Sequence, residues 1–472
     1  MSNVFFIETF KISLDKYMLS KKNDTERIVM KNILIVQITR LGDIVQTIPL
    51  LSDLKHIYPH CNIYMMINDI FHESKTLLEN IQTIPVILEK FVTEDDGNFR
   101  CADNEYLQNI ISSINKMPID MVINLNNSPV AKHLLEKISC ETKLGFGTQK
   151  SEKWASYNMA FLRTRTQSSI NLVDIFRGFT MDKRKSHAEY IPHTQTENTH
   201  HDRDAIAIQC GARNKKRQFQ FVHYVDIVEH YLNKNEKILL LGIDSEKEIA
   251  EQIIAHFHGH KNIENKVGQT NLMQLIDTIK TCKRIFTPDT GTMHIAALYD
   301  TPITTLFYGT AYPHETLAYT ENIEVFMPKH ENFPCYPCPE EFACPYSYKC
   351  HSFSFKKMLN DIDNHEFVKL KIERDEIGQC LTPMNEQAKL WRQFAKYYFL
   401  NITDEDIVYD DDTKNTITRE LKLYKIIHSM DIDTATENFH LIKPLIYYKL
   451  LAKDDDMIEK AIQFLQTQGN AK

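Results

Sequence analysis

One segment near residue 290 constrains the fold more than any other, because a short strand pattern passes through a small, polar turn directly into a helix pattern. The strand pattern covers residues 284–286, and the turn and helix are Thr287-Pro288-Asp289-Thr290-Gly291-Thr292-Met293-His294-Ile295-Ala296-Ala297-Leu298. A helix N-terminus carries unpaired N–H groups and partial positive charge, and a glycine there lets an anion approach the backbone. The segment therefore predicts a unit of a parallel α/β sheet, and its turn is either a diphosphate cradle or an aspartate-capped turn of any such domain.

Length and charge narrow the class of protein. The chain has 472 residues, of which 43% are hydrophobic, and a formal net charge of -8. At roughly 150 residues per domain this length suggests about three domains. The negative charge argues against a nucleic-acid binder, which would need a basic face. No apolar run approaches the roughly 20 residues of a membrane span, and residues 1–31 lack the pattern of a signal peptide. We therefore expect a cytoplasmic protein without a transmembrane segment.

Strand and helix patterns alternate through the first half of the chain. Residues 32–38 form a continuous apolar run, which is typical of a parallel strand covered on both faces. The loop Thr39-Arg40-Leu41-Gly42-Asp43 leads from this run into a helix that we expect to end near His56. Further strands are predicted at residues 62–67 and 120–125, and Asn126-Asn127-Ser128 follows the second of them.

The second half repeats this arrangement after a polar stretch at residues 183–204, which is typical of a linker. Strands are predicted at residues 205–209, 237–241, 284–286 and 302–307. Because ligands of open parallel sheets bind outside the carboxyl ends of the strands, the turns there should line one crevice. The sequence contains no G-x-G-x-x-G motif, which argues against a nicotinamide dehydrogenase.

Two motifs in this order resemble glycosyltransferase family 9, the ADP-heptose:lipopolysaccharide heptosyltransferases. The first motif is Ile33-Leu34-Ile35-Val36-Gln37-Ile38-Thr39-Arg40-Leu41-Gly42-Asp43-Ile44-Val45. The second and more specific one is Asp289-Thr290-Gly291-Thr292-Met293-His294-Ile295-Ala296-Ala297, which Leu306-Phe307-Tyr308-Gly309-Thr310 extends. The resemblance covers roughly residues 31–354. It implies an α/β fold of the GT-B type, in which two Rossmann-like parallel-sheet domains face a cleft, and an added helical region should follow them.

We therefore predict four parts of the chain. These are an N-terminal extension at 1–30, an acceptor-binding Rossmann-like domain at 31–185, a nucleotide-sugar-binding Rossmann-like domain at 186–355, and a helical extension at 356–472. Helix patterns at residues 386–400, 416–430 and 455–466 indicate the last part.

The resemblance implies an inverting glycosyltransferase whose donor is a nucleotide sugar, with ADP-heptose as the first choice. The acceptor is a lipopolysaccharide core or a protein, and both a homo-oligomer and a peripheral position at the inner membrane remain open. Two alternatives also remain: a non-catalytic GT-B module that binds nucleotide sugar or acts as a scaffold, and a GT-B sugar-nucleotide epimerase. The epimerase would need a second acid/base pair, which we do not identify in the sequence.

Asp43 matches the aspartate that the family resemblance implies as general base. A carboxylate can take the proton of an acceptor hydroxyl, which is otherwise a poor nucleophile. Its alternative role is to cap the helix that begins near Ile44, and both roles are compatible. Arg40, Asn126 and Asn127 are the predicted acceptor-binding residues, since they lie in the loops after the first half's strands.

The predicted donor site must stabilise a departing nucleoside diphosphate with preorganised hydrogen-bond donors. The helix N-terminus near Gly291 supplies part of this stabilisation, and Asp289 is placed to accept hydrogen bonds from sugar or ribose hydroxyls. The basic loop Arg213-Asn214-Lys215-Lys216-Arg217 supplies cations, unless it is only a solvated charge run. The family lysine corresponds to either Lys216 or Arg217, and Phe219 replaces the family tryptophan. The complete predicted donor set is Lys216, Arg217, Gly242, Asp289, Thr290, Gly291, Thr292, Met293, His294 and Gly309, although His294 is equally compatible with a packing role.

No catalytic divalent metal is expected. Acidic D-x-D or D-x-D-like pairs occur at residues 361–363, 404–406 and 431–433, all within the polar tail, where they are typical of solvated faces.

Four of the ten cysteines form one cluster, Cys335, Cys338, Cys344 and Cys350. Their number and the C-x2-C start fit a structural zinc or iron site with four thiolate ligands. In the family such a segment occurs without implying a metal in every member, although a branch that glycosylates autotransporter adhesins is associated with an iron-cysteine centre. Packed reduced thiols are the second interpretation. Disulfides are the third, which a cytosolic location disfavours.

Overall fold

The computed structural model describes residues 31–93, 99–165, 168–180, 203–338, 344 and 347–400. The strands are β1 Asn32–Val36, β2 Asn62–Asn68, β3 Ile81–Val86, β4 Phe91–Thr93, β5 Phe99–Cys101, β6 Met121–Asn124, β7 Thr142–Gly145, β8 Ala205–Gln209, β9 Lys237–Leu241, β10 Ile263–Asn265, β11 Cys282–Phe286, β12 Ile303–Leu306, β13 Ile323–Pro328, β14 Phe367–Arg374 and β15 Gln379–Thr382. The α-helices are α1 Leu41–Ile57, α2 Asn104–Asn115, α3 Pro129–Lys137, α4 Glu152–Thr164, α5 Leu172–Gly178, α6 Phe221–Leu232, α7 Lys247–His256, α8 Leu272–Lys280, α9 Gly291–Leu298, α10 Pro313–Thr316, α11 Phe355–Leu359 and α12 Glu386–Leu400. Short 3₁₀ helices include Asp69–Leu77, Lys215–Arg217 and Asp244–Glu246.

The N-terminal domain is built on a parallel sheet with strand order β3-β2-β1-β6-β7. Every residue of β1 is buried, as the continuous apolar run predicted, because β1 lies at the centre of this sheet with helices on both faces. Leu50 and Leu54 of α1 pack on one face of the sheet, and Leu134 and Leu135 of α3 pack on the other. The predicted strands and the end of α1 are confirmed to within one or two residues.

The C-terminal domain is built on a larger sheet with strand order β10-β9-β8-β11-β12-β13-β14-β15. The strands from β10 to β13 are parallel, whereas β14 and β15 run antiparallel to their neighbours. The predicted strands at 205–209 and 237–241 have the observed bounds. Two parallel-sheet domains in succession confirm the predicted α/β architecture.

The C-terminal region differs from the predicted helical extension between residues 367 and 382, because β14 and β15 continue the second sheet there. The alternating pattern Leu370-Lys371-Ile372, which is typical of a strand, was the missed signal. The helix pattern at 386–400 is confirmed as α12. This helix returns to the N-terminal domain, where Trp391 and Ala395 pack in a core that also contains Trp154 of α4.

Several predicted segments lie outside the described residues: the N-terminal extension, most of the linker at 183–204, and the helices at 416–430 and 455–466. The proposed domain boundary at residue 185 falls among them and stays a prediction. None of the helices in the described part of the chain has the length and hydropathy needed to cross a membrane.

Candidate functional site

The N-termini of two helices, one from each domain, meet at the cleft between the domains. Helix α1 begins at Leu41 directly after β1, and α9 begins at Gly291 directly after β11. A Cβ atom added to Gly291 would lie 3.6 Å from the backbone nitrogen of Gly42, and one added to Gly42 would lie 3.0 Å from Cδ2 of His294. A side chain at position 42 would therefore press against His294, whereas one at position 291 would make an ordinary contact. Because each N-terminus carries partial positive charge, the meeting point favours an anion.

The cleft at this point has a volume of about 720 Å³. It is lined by Arg40, Leu41, Gly42, Asp43, Gln46, Phe71, Arg213, Asn214, Lys215, Arg217, Asp289, Thr290, Gly291, His294 and Thr316. Predicted acceptor-side and donor-side residues thus meet in one cavity, although some 170 to 250 residues separate them in sequence. The prediction that the turns at the carboxyl ends of the strands line one crevice holds for the turns after β1, β8 and β11.

Asp43 faces this cleft with only 8% of its side chain exposed. The N-cap of α1 is Arg40, so Asp43 is the third helical residue and not the cap that we considered as its alternative role. Its Oδ2 atom accepts hydrogen bonds from the backbone N–H of Arg40 at 3.3 Å and from Nε of the same residue at 3.0 Å. The carboxylate therefore stabilises the start of the helix and is held in one orientation by Arg40.

Arg217 and Asp289 form an ion pair on the donor side of the cleft. Nη1 of Arg217 lies 2.8 Å from Oδ2 of Asp289, and Nε donates to the Thr310 hydroxyl at 2.7 Å. The hydroxyl of Thr316 also donates to Oδ2 of Asp289, at 3.3 Å. Lys216 does not line the cleft. The geometry thus favours Arg217 over Lys216 as the cation of this loop that faces a ligand.

Two of the four cationic side chains that line the cleft form ion pairs, and two do not. Arg40 pairs with Asp43 and Arg217 pairs with Asp289. Arg213 and Lys215 line the same cleft in exposed positions, and neither forms an ion pair with any residue that the structure describes. Two exposed cations outside any ion pair, beside two helix N-termini, suit a ligand that carries at least two negative charges.

His294 and Gln46 connect the two helices. The imidazole is buried, and this burial lowers its pKa although Asp289 and Asp43 oppose the shift, so the ring is neutral at pH 7. Nε2 of Gln46 lies 3.3 Å from Nε2 of His294, which makes the imidazole nitrogen the acceptor. Gln46 was not predicted from the sequence. Its position three residues after Asp43, on the same face of α1, was the available signal.

The remaining predicted donor residues support the cleft and do not line it. Gly309 adopts φ +61°, and a Cβ atom there would lie 2.1 Å from the carbonyl oxygen of Lys216, so its backbone packs against the basic loop. Gly242 packs against Glu246 in the same way. Thr292 is buried and donates to Oε1 of Gln209 at 2.9 Å, and Met293 is fully buried in the core.

Glu246 is a second residue that sequence analysis missed. Its Oε2 atom accepts a hydrogen bond from Nε2 of Gln209 at 3.0 Å and from the backbone N–H of Ile243 at 3.0 Å. Burial raises the pKa of this carboxyl group, although these hydrogen bonds and the charge of Lys215 oppose the shift. The carboxylate is therefore a fixed acceptor between the ends of β8 and β9.

Of the predicted acceptor-binding residues, only Arg40 lines the cleft. Asn126 is buried, accepts from the backbone N–H of Ile38 at 2.7 Å and donates to Oε1 of Gln37 at 2.5 Å. It therefore holds the loop that carries Arg40. Asn127 is exposed, and its amide lies 3.5 Å from the sulfur of Met159. Binding of an acceptor by these two asparagines gains no support from this arrangement.

The four clustered cysteines are free thiols in the structure, so it contains no disulfide among them. Cys338 contacts the glycine that packs against the basic loop, since its backbone N–H donates to the carbonyl of Gly309 at 2.6 Å. Burial and the neighbouring thiols raise the pKa of Cys350 to about 12 and also raise that of Cys338. Within the described residues there is no group of three or more metal-ligating side chains arranged to hold an ion. The predicted zinc or iron site at Cys335, Cys338, Cys344 and Cys350 is therefore not supported.

The D-x-D pair at residues 361–363 lies on the surface, in the turn between α11 and β14. Asp361 and Asp363 are both exposed, and Asp363 pairs with His365 at 2.8 Å. The pairs at 404–406 and 431–433 lie outside the described residues.

Two Rossmann-like domains that face each other across a cleft at the carboxyl ends of their strands define the GT-B class of fold. The model of glycosyltransferase family 9 (heptosyltransferase) matches residues 108–344, about half of the chain. The protein belongs to this family, as the two sequence motifs predicted.

Individual relatives agree with the family assignment. Lipopolysaccharide heptosyltransferase 2 of Salmonella typhimurium is 30% identical over 118 residues, which cover 24% of this chain and 34% of that protein. The lipopolysaccharide core heptosyltransferase OpsX of Haemophilus influenzae is 23% identical over 338 residues, which cover 67% of this chain and 88% of that protein. The solved structure of E. coli heptosyltransferase WaaC with ADP has a TM-score of 0.51 at 18% identity, covering 63% of this chain and 93% of that one. The last comparison confirms the predicted GT-B fold. The first curated relatives are matched over about a third of their own length.

Proposed function

We propose that the protein is an inverting glycosyltransferase that moves heptose from ADP-heptose onto an acceptor hydroxyl, with Asp43 as the general base. The proposal depends on one observation: two helix N-termini, the carboxylate of Asp43 and the basic loop at residues 213–217 all line one cleft. The relatives' names favour heptose as the transferred sugar and a lipopolysaccharide core as the acceptor. A protein acceptor is the second candidate to be assayed.

The donor side of the cleft suits a nucleoside diphosphate. Negative charge grows on the leaving group during transfer, and preorganised donors stabilise it most where they already point at the developing charge. The start of α9 at Gly291 supplies backbone N–H groups, and Arg213, Lys215 and Arg217 supply cations. Asp289 orients Arg217 through their ion pair and is the predicted acceptor for ribose or sugar hydroxyls. This arrangement needs no divalent cation to bind the diphosphate.

The acceptor side suits proton removal. Asp43 of α1 lines the same cleft as the start of the donor helix α9. In the proposed reaction a hydroxyl beside its carboxylate approaches the sugar from the side opposite the leaving group. The carboxylate takes the proton as the oxygen bonds to the anomeric carbon and the bond to the diphosphate breaks. A single displacement of this kind inverts the anomeric configuration. Arg40 keeps the carboxylate in place through the 3.0 Å contact.

A thermal-shift screen with ADP-, UDP-, GDP- and CMP-sugars tests the choice of donor. A ligand that binds only the folded protein raises its apparent stability, by about 2.7 kcal/mol at a concentration 100-fold above the dissociation constant. We expect the largest shift with ADP-heptose. Equal shifts with all four nucleotides, or none with any of them, would contradict the proposal.

Arg217→Ala is expected to weaken the binding of ADP by about 1.5 to 3 kcal/mol, because it removes a charge-assisted hydrogen bond to the ligand. Lys216→Ala is the matched control, since the neighbouring side chain does not line the cleft. Calorimetry on both variants measures the difference. If the two affinities fall equally, or neither falls, the diphosphate does not bind at Arg217.

A further inference from the structure

Gln46 contains a buried hydrogen-bond acceptor that lacks a partner. The side chain lines the cleft, yet only 5% of the residue is exposed. Its Nε2 atom lies 3.4 Å from the carbonyl oxygen of Gly42 and 3.3 Å from Nε2 of His294. Its Oε1 atom is buried and accepts no hydrogen bond from any residue that the structure describes. Buried polar atoms are rarely left unpaired in folded proteins, so a ligand in the cleft is the natural partner.

The chemistry of this oxygen limits what the ligand group can be. An amide carbonyl only accepts hydrogen bonds, so its partner must be a donor. Ionised diphosphate oxygens are themselves acceptors and do not qualify. A sugar hydroxyl does qualify, because it can donate to Gln46.

The position of Gln46 indicates that the hydroxyl belongs to the transferred sugar and not to the acceptor. Asp43 and Gln46 are three residues apart on one face of α1, whereas His294 belongs to the donor helix α9. In the proposed reaction the reacting acceptor hydroxyl gives its proton to Asp43. The transferred sugar must lie between Asp43 and the diphosphate, and Gln46 touches the helices on both sides of that space.

We propose that the side-chain carbonyl of Gln46 accepts a hydrogen bond from a hydroxyl of the transferred sugar and thereby contributes to the choice of donor. The contacts of Nε2 with His294 and Gly42 leave Oε1 as the atom of this amide that has no partner among the described residues. This inference rests on the proposed function. It adds a sugar-binding residue that belongs to neither the general base nor the diphosphate site.

The test compares the dissociation constants of ADP and ADP-heptose for each variant, measured by calorimetry without any acceptor. The ratio of the two constants isolates the sugar, because effects on the shared ADP portion cancel. Gln46→Leu removes both the carbonyl and the amide N–H groups, and we expect it to lower the preference for ADP-heptose over ADP by about 3- to 10-fold. Gln46→Glu replaces the amide N–H groups by a second acceptor oxygen and adds a negative charge, which should weaken the binding of both anionic ligands; because an acceptor oxygen remains for the sugar hydroxyl, most of the preference should persist.

Gln379 provides a matched control. It is also a buried glutamine whose Oε1 atom lacks a partner among the described residues, and its Nε2 atom donates to the carbonyl of Ala318 at 3.3 Å. It lies in β15 and does not line the cleft, so Gln379→Leu should leave the ratio unchanged.

The outcomes separate the two proposals. If the wild-type protein binds both ligands and Gln46→Leu keeps the wild-type ratio, the role of Gln46 is wrong while the proposed function stands. The same holds if Gln46→Glu loses as much preference as Gln46→Leu, since the N–H groups would then be responsible. If the wild-type protein binds neither ADP nor ADP-heptose, the proposed donor and this inference fail together.

Discussion

Asp43→Asn is expected to lower the rate of sugar transfer by about 10²-fold or more, which is the usual contribution of a positioned general base. Asparagine has nearly the same shape, and its side-chain oxygen can still accept the hydrogen bond from the backbone N–H of Arg40. It cannot take a proton efficiently from the acceptor hydroxyl. Turnover should therefore fall while the affinity for ADP-heptose persists, and steady-state kinetics together with calorimetry separate the two effects.

Asp103→Asn is the control for this substitution. Asp103 also combines a helix-capping hydrogen bond, to the backbone N–H of Tyr106 at 2.9 Å, with a basic partner, Lys90 at 2.6 Å. It does not line the cleft. This control should transfer sugar at the wild-type rate. An Asp43→Asn protein that is equally active would show that another group accepts the proton.

Arg392→Met is expected to lower the free energy of unfolding by about 3 to 5 kcal/mol, the usual cost of removing one partner from a buried ion pair. Arg392, which is 3% exposed, binds Asp375 through two hydrogen bonds of 2.7 Å. It also donates to the carbonyl oxygens of Gly378 in the C-terminal domain and Ser169 in the N-terminal domain. Its loss removes these four hydrogen bonds, and the partners that Asp375 keeps, Lys396 and the backbone N–H of Ile377, replace them only in part. Urea unfolding at pH 7 measures the change.

Lys356→Met is the matched control, because its ion pair with Glu229 is exposed and should contribute less than about 1 kcal/mol. The pH dependence gives a second measurement. Burial alone would raise the pKa of Asp375, but Arg392 and Lys396 lower it from 3.8 to about 2. A lowered carboxyl pKa stabilises the fold above the unfolded value, and this contribution is lost as the pH falls from about 4 to about 2. Equal stabilities of the Arg392 and Lys356 variants would contradict the structural role of Arg392.

The sequence alone was sufficient for the class of fold and for the family. Nearly continuous apolar runs such as residues 32–36 and 205–209 are typical of central parallel strands, because a strand covered on both faces buries its side chains on both sides of the sheet. The two glycine-containing turns that precede α1 and α9 could also be recognised, since a helix start after a strand has a local pattern. Strands β14 and β15 were missed because charged or polar residues alternate with the apolar ones in both, so that neither contains the continuous apolar run by which the central parallel strands were recognised.

The contents of the cleft were decided by the tertiary structure. No local pattern shows that Arg217 pairs with Asp289, that Asn126 donates a hydrogen bond to Gln37, or that Cys338 donates one to Gly309. Each of these facts depends on side chains that are distant in sequence and on which hydrogen bonds they have already made. The same holds for Gln46, whose partner His294 is 248 residues away. Local sequence determined the strands, the turns and the helix starts of this protein, whereas packing within and between the two domains determined which polar atoms remain available to a ligand.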